Sequence, residues 1–244
     1  MPPQSEGRGN TRNRLLDALP SEEYAQIART LEPVELQLGQ VLFEPGGRAE
    51  YVYFPVEAIV SLLTDLEDGT GMEVGLVGRE GMVGISAVYG VEWESKLATV
   101  QRTGSALRMR SEDLREALTR GGQLQRLLLL YAHALMSQIS QSVVCNVRHK
   151  IDGRFVRWLL MFQDRAEADE FELTHEFMAG MLGVTRSSVG EAARKLQEMG
   201  MVSYERGRFR IVNRAAMEQM ACECYEVVRD EYDGLYKNST GQRT

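Results

Sequence analysis

LTHEFMAGMLGVTRSSVGEAARKL, residues Leu173 to Leu196, decides how the rest of the chain is read. A short helical apolar pattern, Met178, Ala179 and Leu182, breaks at Gly183 and resumes as Val189, Ala192, Ala193 and Leu196. Thr174 is placed to cap the first helix with its side-chain oxygen. Gly183 stands where a tight turn between two helices needs a left-handed residue. Ala179, before that glycine, is small enough to let the second helix approach; Val189, after it, faces inward, and Val184 completes the contact. These offsets predict a helix-turn-helix, whose second helix enters the major groove of DNA.

The second helix is predicted from about Arg186 to Met199, with Gly200 as its stop. Its outer face carries Thr185, Arg186, Ser187, Ser188, Gly190, Glu191 and Arg194. Arg186 is suited to bidentate contact with guanine O6 and N7, Glu191 to accept from a cytosine amino group, and Ser187 to several bases. Thr174, Ser188 and Arg194 are better placed for phosphate, which positions a protein but does not specify a site. Beyond Gly200, Met201 to Val212 holds two short β-prone runs around Arg206-Gly207, a hairpin. That is a wing, and it brings Arg206 and Arg208 toward the backbone, with Arg210 nearby. Between Thr174 and Arg214 there are seven basic and four acidic residues, a local charge of +3 in a chain of formal net charge −7. A positive patch on an acidic protein is the pattern of one face meeting phosphate.

With 244 residues, 43% hydrophobic and 26% charged, the composition is that of a soluble protein long enough for two cores. No apolar run is expected to span a bilayer, and the polar start MPPQSEGRGNTRNR lacks the apolar core of a signal peptide. Cys145, Cys222 and Cys224 make no disulfide framework. The expectation is a cytoplasmic protein without a membrane partner.

Four regions are expected: a disordered tail over 1–13, a β-roll sensor over 14–120, a dimerisation helix over 121–147, and a winged helix-turn-helix with a C-terminal helix over 148–244. In the second, Pro20-Ser21-Glu22-Glu23 reads as a helix start capped by Ser21. From Pro33 to Met109 short β-type runs alternate with turn residues: Leu36 to Phe43 around Gly39-Gln40, Tyr51 to Phe54, Ile59 to Leu63, a hairpin signal at Asp68-Gly69, then Met72 to Val77, Thr99 to Arg102 and Ala106 to Met109. Ser111 to Leu118 is a short helix. A long helix follows from about Gln123 to Asn146, in which Leu124, Leu128, Tyr131, Leu135, Gln138 and Ser142 repeat at alternating steps of four and three. That heptad seam is expected to pair two copies through Leu124, Leu128, Tyr131 and Leu135. A further helix, about His149 to Asp164, turns Phe155, Trp158, Leu159 and Phe162 inward. The acidic stretch Glu167 to Glu172 is expected to be a connector, and Arg214 to Tyr236 one helix.

A β-roll, a long dimerising helix and a C-terminal winged helix-turn-helix, in that order, resemble the Crp/Fnr family of bacterial regulators. The resemblance spans about Leu15 to Ala221 and is sharpest at Thr174, Gly183, Arg186, Ser188, Val189 and Gly190. It implies an α+β fold, a homodimer on double-stranded DNA, contact with RNA polymerase if the protein activates, and a base-reading role for Arg186. In cyclic-AMP-binding members an acid follows this arginine and a second arginine comes later; Ser187 and Glu191 stand here instead, so a different half-site is implied. Those members hold the ribose with Gly-Glu and the phosphate with Arg-Ser-Ala. Aligned with them here are Gly81-Met82 and Lys96-Leu97-Ala98. Met82 cannot accept a ribose hydroxyl, and Lys96 lacks the arginine fork. Gly81, Met82, Lys96 and Ala98 are therefore a pocket for an unknown effector, with cyclic AMP not expected and no cofactor named.

Other chemistry is poorly served. A metal-dependent enzyme on a β-roll needs several histidines inside it, and residues 1 to 132 contain neither His nor Cys. His133 reads as a surface or interface residue. An iron–sulfur sensor needs more cysteines near the N-terminus. Cys222-Glu223-Cys224 alone leaves metal coordination incomplete, so no metal site is expected, and no enzyme. The alternative to a DNA-binding regulator is an effector-binding or protein-interaction module that has lost specific DNA binding; the +3 patch and Arg186 speak against it.

Overall fold

The computed structural model describes residues 11–65, 71–205 and 207–239. The chain forms two compact units, one of 1–61, 77–135 and 231–244, the other of 62–76 and 136–230.

The first unit opens on α1 (Arg14–Asp17). Its cap is the buried Asn13, whose Oδ1 accepts from the N–H groups of Leu15 and Leu16. The Asn13 amide also donates to the carbonyls of Pro55 (2.8 Å) and Gly81 (2.9 Å). Of the tail expected over 1–13, residues 1–10 lie outside the described residues, and Thr11 to Asn13 are folded. In α2 (Ser21–Ile27), Ser21 is the first helical residue and not the cap: Pro20 holds that position, which has no side-chain cap bond.

Seven strands follow along the chain, β4 and β5 falling mostly within residues 62–76 of the second unit: β1 (Glu32–Leu36), β2 (Val41–Phe43), β3 (Tyr51–Pro55), β4 (Ile59–Asp65), β5 (Gly71–Val77), β6 (Leu97–Arg102) and β7 (Gly104–Arg110). They make one sheet in the order β1-β7-β3 and one in the order β2-β6-β4-β5. The hairpin signal at Asp68-Gly69, between β4 and β5, lies outside the described residues. On β3, Val52 and Phe54 are buried while Tyr51 and Tyr53 are half-exposed, the period-two alternation of a strand with one face on a core. Gly84 and Gly90 bracket a 3₁₀ turn, Ile85–Tyr89. α3 (Ser111–Thr119) leads through Gly121-Gly122 to α4 (Gln123–Arg148). The first N–H groups of α4 are capped from a distance: the Glu23 carboxylate accepts from Gln123 (3.0 Å) and Leu124 (2.9 Å).

The heptad seam of α4 does not face a partner. Leu124, Leu128, Tyr131, Leu135, Gln138 and Ser142 are all buried within the chain, Leu128 and Tyr131 at 0% exposure. Its two polar members are satisfied there, Gln138 by the Leu76 carbonyl and Arg165, and Ser142 by the Gln138 carbonyl. A second stripe, at Leu129, His133, Met136, Ser140, Val143 and Val147, repeats the same four-three spacing and is open to solvent. Met136 is 60% and Val147 78% exposed. The stripes are five residues out of phase, about 140° apart around a helix of 3.6 residues per turn. By length and composition α4 is also the one helix among the described residues able to cross a bilayer, which the sequence reading did not expect. Of that stretch, 44% is buried inside the chain, and one such helix is weak evidence for a membrane span.

In the second unit, α5 (Ile151–Ala166) is a buried core helix, with Phe155, Trp158, Leu159 and Phe162 inward as expected. The acidic connector is in part a strand: β8 (Glu170–Glu172) inserts Phe171 against Phe162, ring centroids 5.1 Å apart. α6 (His175–Leu182) and α7 (Arg186–Glu198) form the helix-turn-helix, and β9 (Val202–Glu205) and β10 (Arg208–Ile211) the wing. The sheet order β8-β10-β9 makes the wing three-stranded. The expected single C-terminal helix is two, α8 (Arg214–Met220), capped by Asn213, and α9 (Cys224–Ser239), because Ala221 is extended.

The burial of the first stripe yields a test. Leu128→Ala is expected to lower folding stability by about 2–5 kcal/mol, seen as a lower urea midpoint. An unchanged midpoint with a changed oligomeric state would place Leu128 at an interface instead.

Candidate nucleic-acid interface

The helix-turn-helix is built by local rules. The Thr174 hydroxyl accepts from the Phe177 N–H (3.1 Å), capping α6. Gly183 ends that helix at φ +60°, and its N–H and that of Val184 return to the carbonyls of the last turn. A Cβ there would also lie 2.4 Å from Met72 Cε, the movable end of a flexible side chain, so it is the positive φ that restricts position 183. Thr185 caps α7, accepting from the Ser188 N–H (3.2 Å), and its hydroxyl also meets those of Ser187 (2.9 Å) and Ser188 (2.8 Å). Sequence reasoning put Thr185 on the outer face without seeing this role, although a hydroxyl directly before the helix is the usual signal.

Val189, Ala192, Ala193 and Leu196 are buried, so the opposite face of α7 is turned out. Arg186, Ser187, Glu191 and Arg194 are exposed and Ser188 is half-buried. Arg186 and Glu191 make no ion pair among the described residues. Arg194 is held by Glu198 one turn on, at 2.8 Å. The wing arginines share a counter-charge that the sequence did not reveal: Glu170 of β8 lies 2.6 Å from Arg210 and 3.9 Å from Arg208. Hydrogen bonding to Arg210 and the charges of Arg210 and Arg208 pull the Glu170 carboxyl below its ordinary value. Such exposed pairs contribute little to stability. Arg206 lies outside the described residues.

His175, at the start of α6, stacks on Tyr204 of the wing with ring centroids 4.6 Å apart. Burial, and then the charge of Arg186, lower its pKa. The imidazole is therefore favoured neutral.

The Met82 and Ala98 side chains are buried, and Lys96 is half-exposed. Gly81 has no room for anything larger, since a Cβ would lie 2.4 Å from the Tyr131 ring. The Tyr131 hydroxyl donates to the Met82 carbonyl at 2.8 Å. The aromatic ring thus occupies the volume beside Gly81. His133 is on the surface and 3.6 Å from Glu231. Cys222-Glu223-Cys224, read as isolated, is joined by Cys145 and His149.

Comparison with known proteins agrees with this architecture. A Crp-like helix-turn-helix domain matches residues 153–220, and a cyclic nucleotide-binding domain matches residues 33–120. The global nitrogen regulator of Synechococcus elongatus is 24% identical over 199 residues, covering 78% of this chain and 89% of its own length. That of Synechocystis is 25% identical over 190 residues, with coverage of 74% and 84%. Among solved structures, FixK2 from Bradyrhizobium japonicum aligns with a TM-score of 0.69 at 18% identity, over 79% of this chain and 98% of that one. With both domains matched in this order, the chain is a DNA-binding transcription regulator of the Crp/Fnr type, with an N-terminal β-sheet domain of the cyclic nucleotide-binding kind, a long helix and a C-terminal helix-turn-helix.

The neutral His175 sets a pH dependence. Its folded pKa lies below the unfolded value near 6.5, so the stability it supports is full above about pH 6.5 and is lost as pH falls through the folded value. Thermal unfolding at pH 7 and pH 5 is expected to show a larger drop in Tm for the native chain than for His175→Gln; equal drops would contradict the assignment.

Proposed function

We propose that the chain works as a cytoplasmic homodimer that reads a near-palindromic DNA site, each protomer laying α7 in a major groove. Residues 14–120 are the sensor, 121–147 the dimerisation helix and 148–244 the DNA-binding region. The observation that carries this reading is Arg186: an exposed guanidinium without a carboxylate partner among the described residues, at the capped N-terminus of the outward-facing helix. Arg186, Ser187 and Glu191 contact bases. Thr174, Ser188, Arg194, Arg206 and Arg208 contact phosphate. The Thr174 oxygen already accepts from the helix, so its hydroxyl proton is what remains for phosphate. An activator would in addition touch RNA polymerase.

The dimer is assigned to the open stripe of α4. Leu129, Met136, Val143 and Val147 are 50–78% exposed and spaced as a coiled-coil seam, and a two-fold site calls for a two-fold protein. The effector is not a cyclic nucleotide held in the usual manner, because Tyr131 fills the volume beside Gly81 and Met82 offers no acceptor side chain.

Two measurements test this. Arg186→Ala is expected to cost about 1–3 kcal/mol of specific binding per half-site, read by gel shift on the native promoter, while weak salt-sensitive binding to unrelated DNA persists. Undiminished specific affinity would sink the base-reading role. Met136→Glu with Val143→Glu is expected to turn the dimer into a monomer in sedimentation; a dimer that survives both charges would place the interface elsewhere.

A further inference from the structure

We propose that Cys145, His149, Cys222 and Cys224 bind one tetrahedral divalent cation of the zinc class. The four residues come from two segments remote in sequence. Cys145 lies in the last turn of α4 and His149 one residue past its end, while Cys222 and Cys224 flank the break between α8 and α9. Folding brings their ligand atoms within 4.8 Å of one another. The Cys145 and Cys222 sulfurs are 3.5 Å apart, and Cys224 Sγ is 3.4 Å from His149 Nδ1. Zinc bond lengths of about 2.3 Å to sulfur and 2.0–2.1 Å to nitrogen require tetrahedron edges of about 3.8 Å between sulfurs and about 3.5–3.6 Å between sulfur and nitrogen. Two edges are thus already within about 0.3 Å of the length an ion would impose. Three thiolates and one imidazole form a closed structural donor set, with no position left for water. Ligands this close surround a single ion, since an iron–sulfur cube holds its thiolates farther apart.

The surroundings fit the same reading. With Nδ1 turned to the thiols, His149 Nε2 lies 3.2 Å from the Glu223 carboxylate, the outer contact that fixes the tautomer of a ligating histidine. Gln141 donates to Cys224 Sγ at 3.1 Å, an orienting N–H···S bond. Three thiolates on a dication leave a net charge of −1. Arg157 is buried at 5% exposure with no carboxylate partner among the described residues, only Ser142 Oγ at 3.4 Å and Met161 Sδ at 3.7 Å. A guanidinium held in a protein interior without a counter-ion is costly, and an anionic metal site next to Cys145 supplies one. A bound ion ties the end of α4 to the α8–α9 junction, across the base of the segment that carries the helix-turn-helix.

The test uses the full chain, purified under reductant and exposed to zinc or cobalt(II), then freed of excess metal. The expected results are one zinc per chain by elemental analysis, a cobalt(II) spectrum of tetrahedral intensity with a sulfur-to-metal charge-transfer band, and displacement of that band by zinc. Cys224→Ser is expected to abolish the band. Glu223→Ala is expected to weaken zinc affinity by about tenfold or more while keeping the band, since it removes only the outer contact. A reduced native chain that retains no zinc, or gives a weak octahedral cobalt spectrum, would overturn the proposal. So would a Cys145–Cys222 disulfide in the chain as isolated, if no metal is taken up after reduction. Because the decisive readings are made on the native chain, a variant that fails to fold does not obscure them.

Discussion

The two apolar stripes of α4 are the constraint on which the rest of the molecule depends. A helix that buried a single stripe could serve its own core or a partner, but not both. α4 gives Leu124, Leu128, Tyr131 and Leu135 to the interior and keeps Leu129, Met136, Val143 and Val147 outside. Because the buried stripe carries full-size side chains, Leu128 and Tyr131 among them at 0% exposure, the orientation of the helix about its own axis is set by packing. The open stripe inherits that orientation.

This arrangement also explains where sequence reasoning succeeds and fails. The helix-turn-helix is legible because its determinants are local: a hydroxyl before each helix, a glycine at φ +60°, and a β-branched residue on the inner face. Two caps and a turn need no knowledge of the rest of the chain. The heptad of α4 is legible as a period and illegible as a direction. A helix lying along its own core repeats at three and four residues just as a coiled-coil seam does, and the leucine-rich stripe outweighs one that includes His133 and Ser140. The same limit hides β8. Glu170-Phe171-Glu172 looks like a charged connector, and only the pairing of its backbone with β10 and the burial of Phe171 make it a strand.

The thiol cluster is illegible for a different reason. Cys145 and Cys222 are 77 residues apart, and neither segment alone offers more than two ligands. Nothing in a linear pattern says that the end of one helix will meet the break between two others. The break itself follows from Ala221 leaving the helical region, which a continuous apolar pattern through Arg214 to Tyr236 does not announce.

The contact between α4 and Gly81 follows the same geometric logic. Tyr131 belongs to the buried stripe of α4, yet its ring fills the space beside Gly81 and its hydroxyl is taken by the Met82 carbonyl. An effector entering that volume must displace the ring, and displacing it breaks a buried hydrogen bond and reopens the packing that orients α4. Loss of that bond alone would leave a buried carbonyl unsatisfied, at a cost of about 1–3 kcal/mol, so any ligand that displaced the ring would have to donate to the Met82 carbonyl or make compensating contacts.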